Sequence, residues 1–260
     1  GQMNNYKRKL MKNKYDAIII GAGIIGCSTA FELSKQGYKT LNIDKQPAAG
    51  NGSTANSCAV IRVHYSTVAG TATAYESYLY WDEWEKYLGV KDPQGMAQFF
   101  KRGIMVFKSE ANGLLEKVRS TMKELGIDYD DLDVDGIKEK YPKLDNTSYH
   151  PPRRPEDDDF GKANSEPLTG AIYYPEGGYI SDPILSTHNV QVAAEAQGAE
   201  FKFKTTIVDI LKKDGRVQGV KLKDGTEIHA PVVVNASGPH SFIINRMAGV
   251  EEGMNIKTNA

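Results

Sequence analysis

Tyr15–Ile20 (YDAIII) is a short apolar run without polar alternation. Such a run predicts a strand buried on both faces, as in a parallel sheet. It leads directly into Gly21-Ala22-Gly23-Ile24-Ile25-Gly26. The pattern then turns helical over Cys27–Gln36, with Gly37 as the stop. Lys39–Asp44 (KTLNID) predicts a second strand. Strand, turn, helix and strand within about 30 residues make the unit that crosses over right-handedly.

Further along, Gly50–Asn56 is a glycine- and hydroxyl-rich loop, and Ala59–Tyr65 is briefly extended. Ala72–Leu88 has helical spacing. Tyr80, Trp84, Tyr87 and Leu88 fall on one face and read as core packing. A strand is expected at Gly103–Lys108 and a helix over Asn112–Leu125, stopped by Gly126. His150–Pro167 is rich in proline and aspartate and almost free of apolar residues, so it reads as a mobile surface loop. Order resumes with a strand at Ala171–Tyr174, a turn at Pro175–Gly178 and a helix over Asp182–Gln197. A strand follows at Phe201–Ile210. Arg216–Leu222 and Glu227–His229 form a hairpin across Lys223–Thr226. Val232–Ala236 is a last buried strand, running into Ser237-Gly238-Pro239.

Composition narrows the classes without naming one. Forty per cent of residues are hydrophobic and 25% charged, which excludes a collagen, a coiled-coil rod and a wholly disordered chain. Thirty-two Lys and Arg face 33 Asp and Glu, a formal net charge of −1. That balance lacks the basic excess of a nucleic-acid binder. Cys27 and Cys58 form no Cys-x-x-Cys pair, and the histidines show no ligand spacing. Neither a disulfide framework nor a metal site is expected. No apolar run reaches the roughly 18 residues of a membrane span. The polar, basic start has no secretory h-region. Gly1 and Gln2 read as a leftover tag, residues 1–14 as a disordered tail and Met11 as the natural start. The expected setting is cytoplasmic, with no nucleic-acid or membrane partner.

The glycine triplet carries the first chemistry. Gly21 suits a tight turn, Gly23 a close backbone approach to a pyrophosphate, and Gly26 close packing of helix on strand. The helix start offers amides and partial positive charge to phosphates. Seventeen positions, residues 27–43, separate Gly26 from Asp44. That spacing sets a carboxylate at the end of the second strand, where it can accept from a ribose 2′-OH. The reading is dinucleotide binding. The fingerprint leaves FAD and NAD both open.

Several separated segments resemble the FAD-dependent amine oxidoreductases of the D-amino acid oxidase superfamily, near the sarcosine, dimethylglycine and glycine oxidases. These are residues 15–45, 51–65 (NGSTANSCAVIRVHY), 177–210 (GGYISDP and onward) and 232–241 (VVVNASGPHS). They occur in the family's order. The resemblance implies an α/β fold: a Rossmann-like FAD-binding domain of the GR2 type with an interleaved α+β substrate-domain segment. The first FAD-binding part would be 15–65, the substrate-domain segment 66–176 with the mobile loop 150–167, and the second FAD-binding part 177–245.

Site roles follow by the same resemblance. Gly21, Ala22, Gly23, Ile24, Ile25 and Gly26 would form the pyrophosphate turn. Asp44, with Lys45 beside it, would hold the adenosine ribose. Gly52, Ser53 and Thr54 would lie along the pyrophosphate and ribityl chain. Ile207 would meet the adenine through its backbone. Ala236, Ser237 and Gly238 would approach from the last strand. Arg62 would grip a substrate carboxylate, a task that suits a guanidinium.

Departures accompany the match. Ala59 stands where sarcosine oxidases carry a second arginine, and Thr54 and Ala55 where the dimethylglycine branch links flavin through histidine. Neither cysteine matches the family's flavin-linking position, so noncovalent FAD is expected. His64 and Tyr65 read as packed residues, and His240 as a turn cap. The implied activity is oxidation of a C–N bond in a small amino acid or N-methyl amino acid by hydride transfer to flavin. A noncatalytic or partner-dependent FAD-binding subunit, and an NAD-linked dehydrogenase, stand as alternatives. Family chains run well beyond 260 residues, so a missing C-terminal segment or a partner subunit is also expected.

Overall fold

The computed structural model describes residues 14–164 and 168–250. All but Lys14 of the tail expected over 1–14, and the end of the proline-rich loop, 165–167, lie outside the described residues.

β1 (Ala17–Ile20) is buried at every position, as its unbroken apolar run requires. α1 (Ile24–Lys35) starts three residues before the expected helix, directly after Gly23. β2 (Thr40–Ile43) is again fully buried. β3 (Val60–Ile61) is brief. α2 (Val68–Asp82) opens on Thr67, whose side chain accepts from the Gly70 amide. α3 (Trp84–Leu88) is a separate helix. The single helix expected over 72–88 breaks at Glu83, where φ −114° and ψ 40° leave the helical region. The aromatic stripe is therefore corrected: Trp84 and Leu88 are buried, but Tyr80 is exposed.

β4 (Phe99–Lys101) and β5 (Ile104–Phe107) follow. The helix expected from Asn112 begins only at Glu116, as α4 (Glu116–Glu124), because Gly113, Leu114 and Leu115 adopt left-handed backbone. Next come β6 (Asp130–Leu132), α5 (Val134–Lys140), β7 (Ala171–Tyr174) and β8 (Gly178–Ile180). α6 (Pro183–Ala196) is capped by Asp182, which accepts from the amides of Ile184 and Leu185. The strand expected over Phe201–Ile210 is two strands, β9 (Glu200–Lys202) and β10 (Ile207–Lys213). Lys204, with φ of 49°, turns the chain between them. β11 (Arg216–Leu222) and β12 (Glu227–His229) form the expected hairpin. β13 (Val232–Asn235) and α7 (Ser241–Ala248) complete the order.

Among the described residues two compact units result: residues 14–59, 84–98 and 180–250, and residues 60–83, 99–164 and 168–179. The first unit carries a parallel sheet in the order β13-β1-β2-β9. Its core joins Ile18, Ile20, Leu41 and Ile43 to Ile210, Val220 and Leu222 of the antiparallel β10-β11-β12 sheet. Burying each such side chain contributes about 1.5–3 kcal/mol. Segment 84–98 joins this unit through side chains. Asn189 of α6 accepts from the Trp84 indole at 3.2 Å and the Ala97 amide at 2.9 Å. Buried Asp92 accepts from His188 Nδ1 at 2.5 Å and Asn189 Nδ2 at 2.8 Å.

The second unit holds two small sheets, β3-β8-β4 and the antiparallel β5-β7-β6. Its core gathers Val63, Tyr78, Leu115, Met122, Ile127, Ile172 and Tyr174. The described part of the proline-rich loop is tied by its own charges: Asp159 pairs with Arg153 and Lys162. Among the described residues, no helix is long and apolar enough to cross a membrane.

Candidate functional site

In the first unit, only Gly21–Gly23 separate β1 from α1, so the chain reverses sharply there. Gly21 has φ of +113°, a region L side chains rarely adopt. A Cβ on it would lie 2.2 Å from the Ala236 carbonyl oxygen. A Cβ on Gly26 would lie 2.2 Å from the Gly21 carbonyl oxygen. Both glycines are thus required by backbone contact. Gly23 is looser; its Cβ would meet only Thr54 Oγ1, at 3.1 Å.

The turn is held on many sides. The Gly21 amide donates to Ile43 O, and Ala22 O accepts from the Gly50 amide. The Ala22 amide donates to Asp44 Oδ2 at 2.7 Å, and the Ile24 amide to Thr54 Oγ1 at 3.2 Å. Among the described residues, the amides of Gly23, Ile25 and Gly26 find no acceptor. α1 has no side-chain cap and no acid in its first turn. Ile25, a large apolar residue, is 71% exposed at this helix start. The result is a helix start with free backbone amides, an arrangement whose partial positive charge suits an anion.

Around the turn, the structure gathers most of the expected positions. Asp44 directly follows β2, and its other oxygen accepts from the Gln46 amide at 2.9 Å. Each carboxylate oxygen keeps a further lone pair. Lys45 is exposed beside it. Gly52 caps a short helical turn over Ser53–Asn56, which contains Thr54. The Ala236 amide donates to Ile20 O. Ser237 Oγ donates to Asn235 Oδ1 at 2.6 Å, and a Cβ on Gly238 would lie 3.9 Å from Ser53 Oγ. Residues more than 200 positions apart thus meet at the turn. Ile207 stands apart, at the start of β10 against the hydrophobic core. It comes two residues after Thr205, whose amide donates to Asp44 O.

Arg62 belongs to the second unit. Its guanidinium lies over the Tyr65 ring, 4.5 Å from the centroid, and makes no ion pair among the described residues. His64 is buried, and its Nδ1 is hydrogen-bonded to the buried Tyr174 hydroxyl. That hydroxyl also accepts from the Val63 amide at 3.3 Å. Burial, with help from Arg62, lowers the His64 pKa to about 4. Burial raises that of Tyr174 to about 12. Both groups are neutral near pH 7. The bond thus joins two neutral groups, and the imidazole tautomer sets which of them donates.

His64 is packed, as expected, whereas Tyr65 is exposed. His240 precedes α7 but makes no side-chain cap bond, so its expected role as a cap is not seen. Cys27 is buried in α1, and burial pushes its thiol pKa up, with Asp44 and Glu195 adding to the rise. Sequence reasoning missed three participants. Tyr174 is 110 positions from His64 and left no local signal. Gly50 falls within the expected loop, and Asn42 within the expected strand, where a lone amide between Leu41 and Ile43 is the visible sign.

Comparison with known proteins adds an independent line. A sarcosine oxidase from Arthrobacter sp. is 34% identical over 140 residues, 51% of this chain and 33% of its own. A glycerol 3-phosphate dehydrogenase from Caloramator mitchellensis is 29% identical over 90% of this chain and 44% of its own. The solved L-proline dehydrogenase of P. horikoshii superposes with a TM-score of 0.73 at 24% identity, covering 93% of this chain and 57% of that one. This chain therefore spans less than half the length of these curated relatives. The family model described as FAD dependent oxidoreductase, DAO, matches residues 16–258. The chain belongs to that family of flavin-dependent oxidoreductases.

Proposed function

We propose that the first unit holds FAD noncovalently and that the chain serves oxidation of a C–N bond in a small amino acid or N-methyl amino acid. One observation carries the cofactor reading: three unclaimed amides at an uncapped, acid-free helix start. They suit a pyrophosphate, and the missing Cβ atoms of Gly21 and Gly26 let the turn close. Asp44 would accept from ribose hydroxyls with its spare lone pairs while it braces Ala22. Gly52, Ser53, Thr54, Ala236, Ser237 and Gly238 would line the rest, and the backbone near Ile207 would meet the adenine. Lys45 would flank the ribose.

FAD, when bound, supplies the hydride acceptor. The chain's own part is to bind and orient. Arg62 is free to hold a carboxylate through paired N–H donors, and that grip would align the substrate's α-carbon. The named relative that oxidises sarcosine supports an amine substrate. The two unpaired cysteines fit a reducing, cytoplasmic setting.

A second reading draws on the relative named for glycerol 3-phosphate. Arg62 would then hold a phosphate, and the oxidised bond would be C–O. Absorbance of the purified chain at about 450 nm tests for bound flavin, and acid release of that flavin tests noncovalent attachment. Turnover of sarcosine, glycine or proline supports the first reading; turnover of glycerol 3-phosphate alone replaces it. Bound flavin with no turnover of either class points to a partner-dependent subunit. A colourless chain that binds NAD removes the FAD reading.

A further inference from the structure

Asn42 is a buried amide in the middle of the parallel sheet, 1% exposed and flanked by Leu41 and Ile43. An amide there is costly unless its polar atoms are matched. Its Nδ2 donates to Gly21 O at 3.0 Å and to Gly26 O at 3.0 Å. Both donor hydrogens are therefore used, and they reach the first and last glycines of the fingerprint. Oδ1 has no partner. The amide orientation follows from chemistry: turned over, Oδ1 would face two carbonyl oxygens.

We infer that Asn42 is a positioning residue for the cofactor turn, a fourth member of the glycine fingerprint supplied by β2. The inference rests on the FAD reading above for its functional consequence. The Gly21 carbonyl is wedged where a Cβ on Gly26 would be. The Asn42 amide fixes that carbonyl against the helix start. One side chain thereby sets the separation of Gly21 and Gly26 and, with it, the aim of the amides between them. Asp44, two positions along, braces Ala22 from the same strand. β2 thus controls the turn at two points, one neutral and internal, the other charged and facing the ligand side.

The test compares the full chain with Asn42→Leu, which keeps the branched four-heavy-atom side chain and removes both donors, and Asn42→Asp, which keeps the shape and replaces the donor with an acceptor. Two readouts are taken. FAD affinity is measured by flavin fluorescence on adding FAD to the flavin-free chain. Hydrogen exchange is followed at the turn amides of Ala22, Ile24 and Cys27, without flavin, against the β10–β11 hairpin as reference. The expected result is tenfold or more weaker FAD binding in Asn42→Leu and a larger loss in Asn42→Asp. Exchange at the turn should rise at least tenfold while the hairpin is unchanged. Wild-type affinity and wild-type turn exchange in Asn42→Leu would overturn the inference. So would a uniform rise in exchange across turn and hairpin, which marks a merely structural residue. A wild-type chain that binds no FAD overturns the cofactor reading instead, and the exchange contrast then decides the role of Asn42 by itself.

Discussion

The glycine turn of the first unit and the Arg62–His64–Tyr174 group of the second are built from opposite materials. The turn is made of backbone: carbonyls, amides and the space left by absent Cβ atoms. The second group is made of side chains, held by one hydroxyl that serves both an imidazole and an amide. A backbone site has strict residue requirements at adjacent positions. A side-chain site has requirements scattered along the chain, and each is softer, because an alternative side chain can adjust. The turn should therefore be brittle to the smallest substitutions, and the His64 group tolerant of all but loss of its hydroxyl.

The strongest challenge to that contrast is Gly21→Ala. The added methyl meets a backbone oxygen at 2.2 Å at a φ of +113°. Overpacking and backbone strain together cost about 2–6 kcal/mol, and the severity of the contact sets the expectation near the top. Thermal or urea unfolding measures it; a loss under about 1 kcal/mol would end the claim of brittleness. Next comes Tyr174→Phe, which strips a hydrogen-bond partner from His64 and an acceptor from Val63. About 1–3 kcal/mol should be lost in the same assay.

A finer probe of the side-chain group is pH. The folded His64 pKa is about 4 against an ordinary 6.5. The unfolded chain therefore takes up this proton first as pH falls. Stability from His64 is complete above pH 6.5 and is lost progressively down to about pH 4. Unfolding at stepped pH should show this slope, and His64→Gln should flatten it. An unchanged slope in the variant would place the titration elsewhere. The smallest effect is expected for Arg62→Ala, an exposed, unpaired cation. Its stability should shift by no more than about 0.5 kcal/mol with flavin content unchanged, while KM for a carboxylate substrate rises at least tenfold in steady-state kinetics. A fall in flavin content would show that Arg62 supports the cradle rather than the substrate.

The same contrast explains what could be read from the chain alone. The β1–turn–α1–β2 unit was legible because each requirement is local: an apolar run, three spaced glycines, a stop glycine. The α6 helix was legible by its Asp182 cap. The break at Glu83 was not, since nothing in the spacing of Tyr80, Trp84 and Leu88 signals a change of backbone. Nor was the division of 201–210 between two sheets, which depends on Lys204 adopting a positive φ and on Lys204 and Thr205 bonding to Gln46 and Asp44. Left-handed Leu114 and Leu115 similarly run against local preference, so the start of α4 was misplaced. At the site, the glycines and Asp44 declared themselves through spacing. Tyr174 is fixed by tertiary packing and could not.

The position of β1 has a consequence in time. It lies between β2, made almost at once, and β13, made more than 200 residues later. During synthesis at roughly 5–20 residues per second, the edge that awaits Val232–Asn235 stays unpaired for roughly 10–40 s. An all-apolar strand with an open edge is the usual starting point for wrong pairing between chains. The Gly21 turn also lacks its Ala236 neighbour for that interval. The nascent cradle thus carries its most hydrophobic strand half-covered while more than 200 further residues are made, and its yield in a cell should depend on what shields that edge.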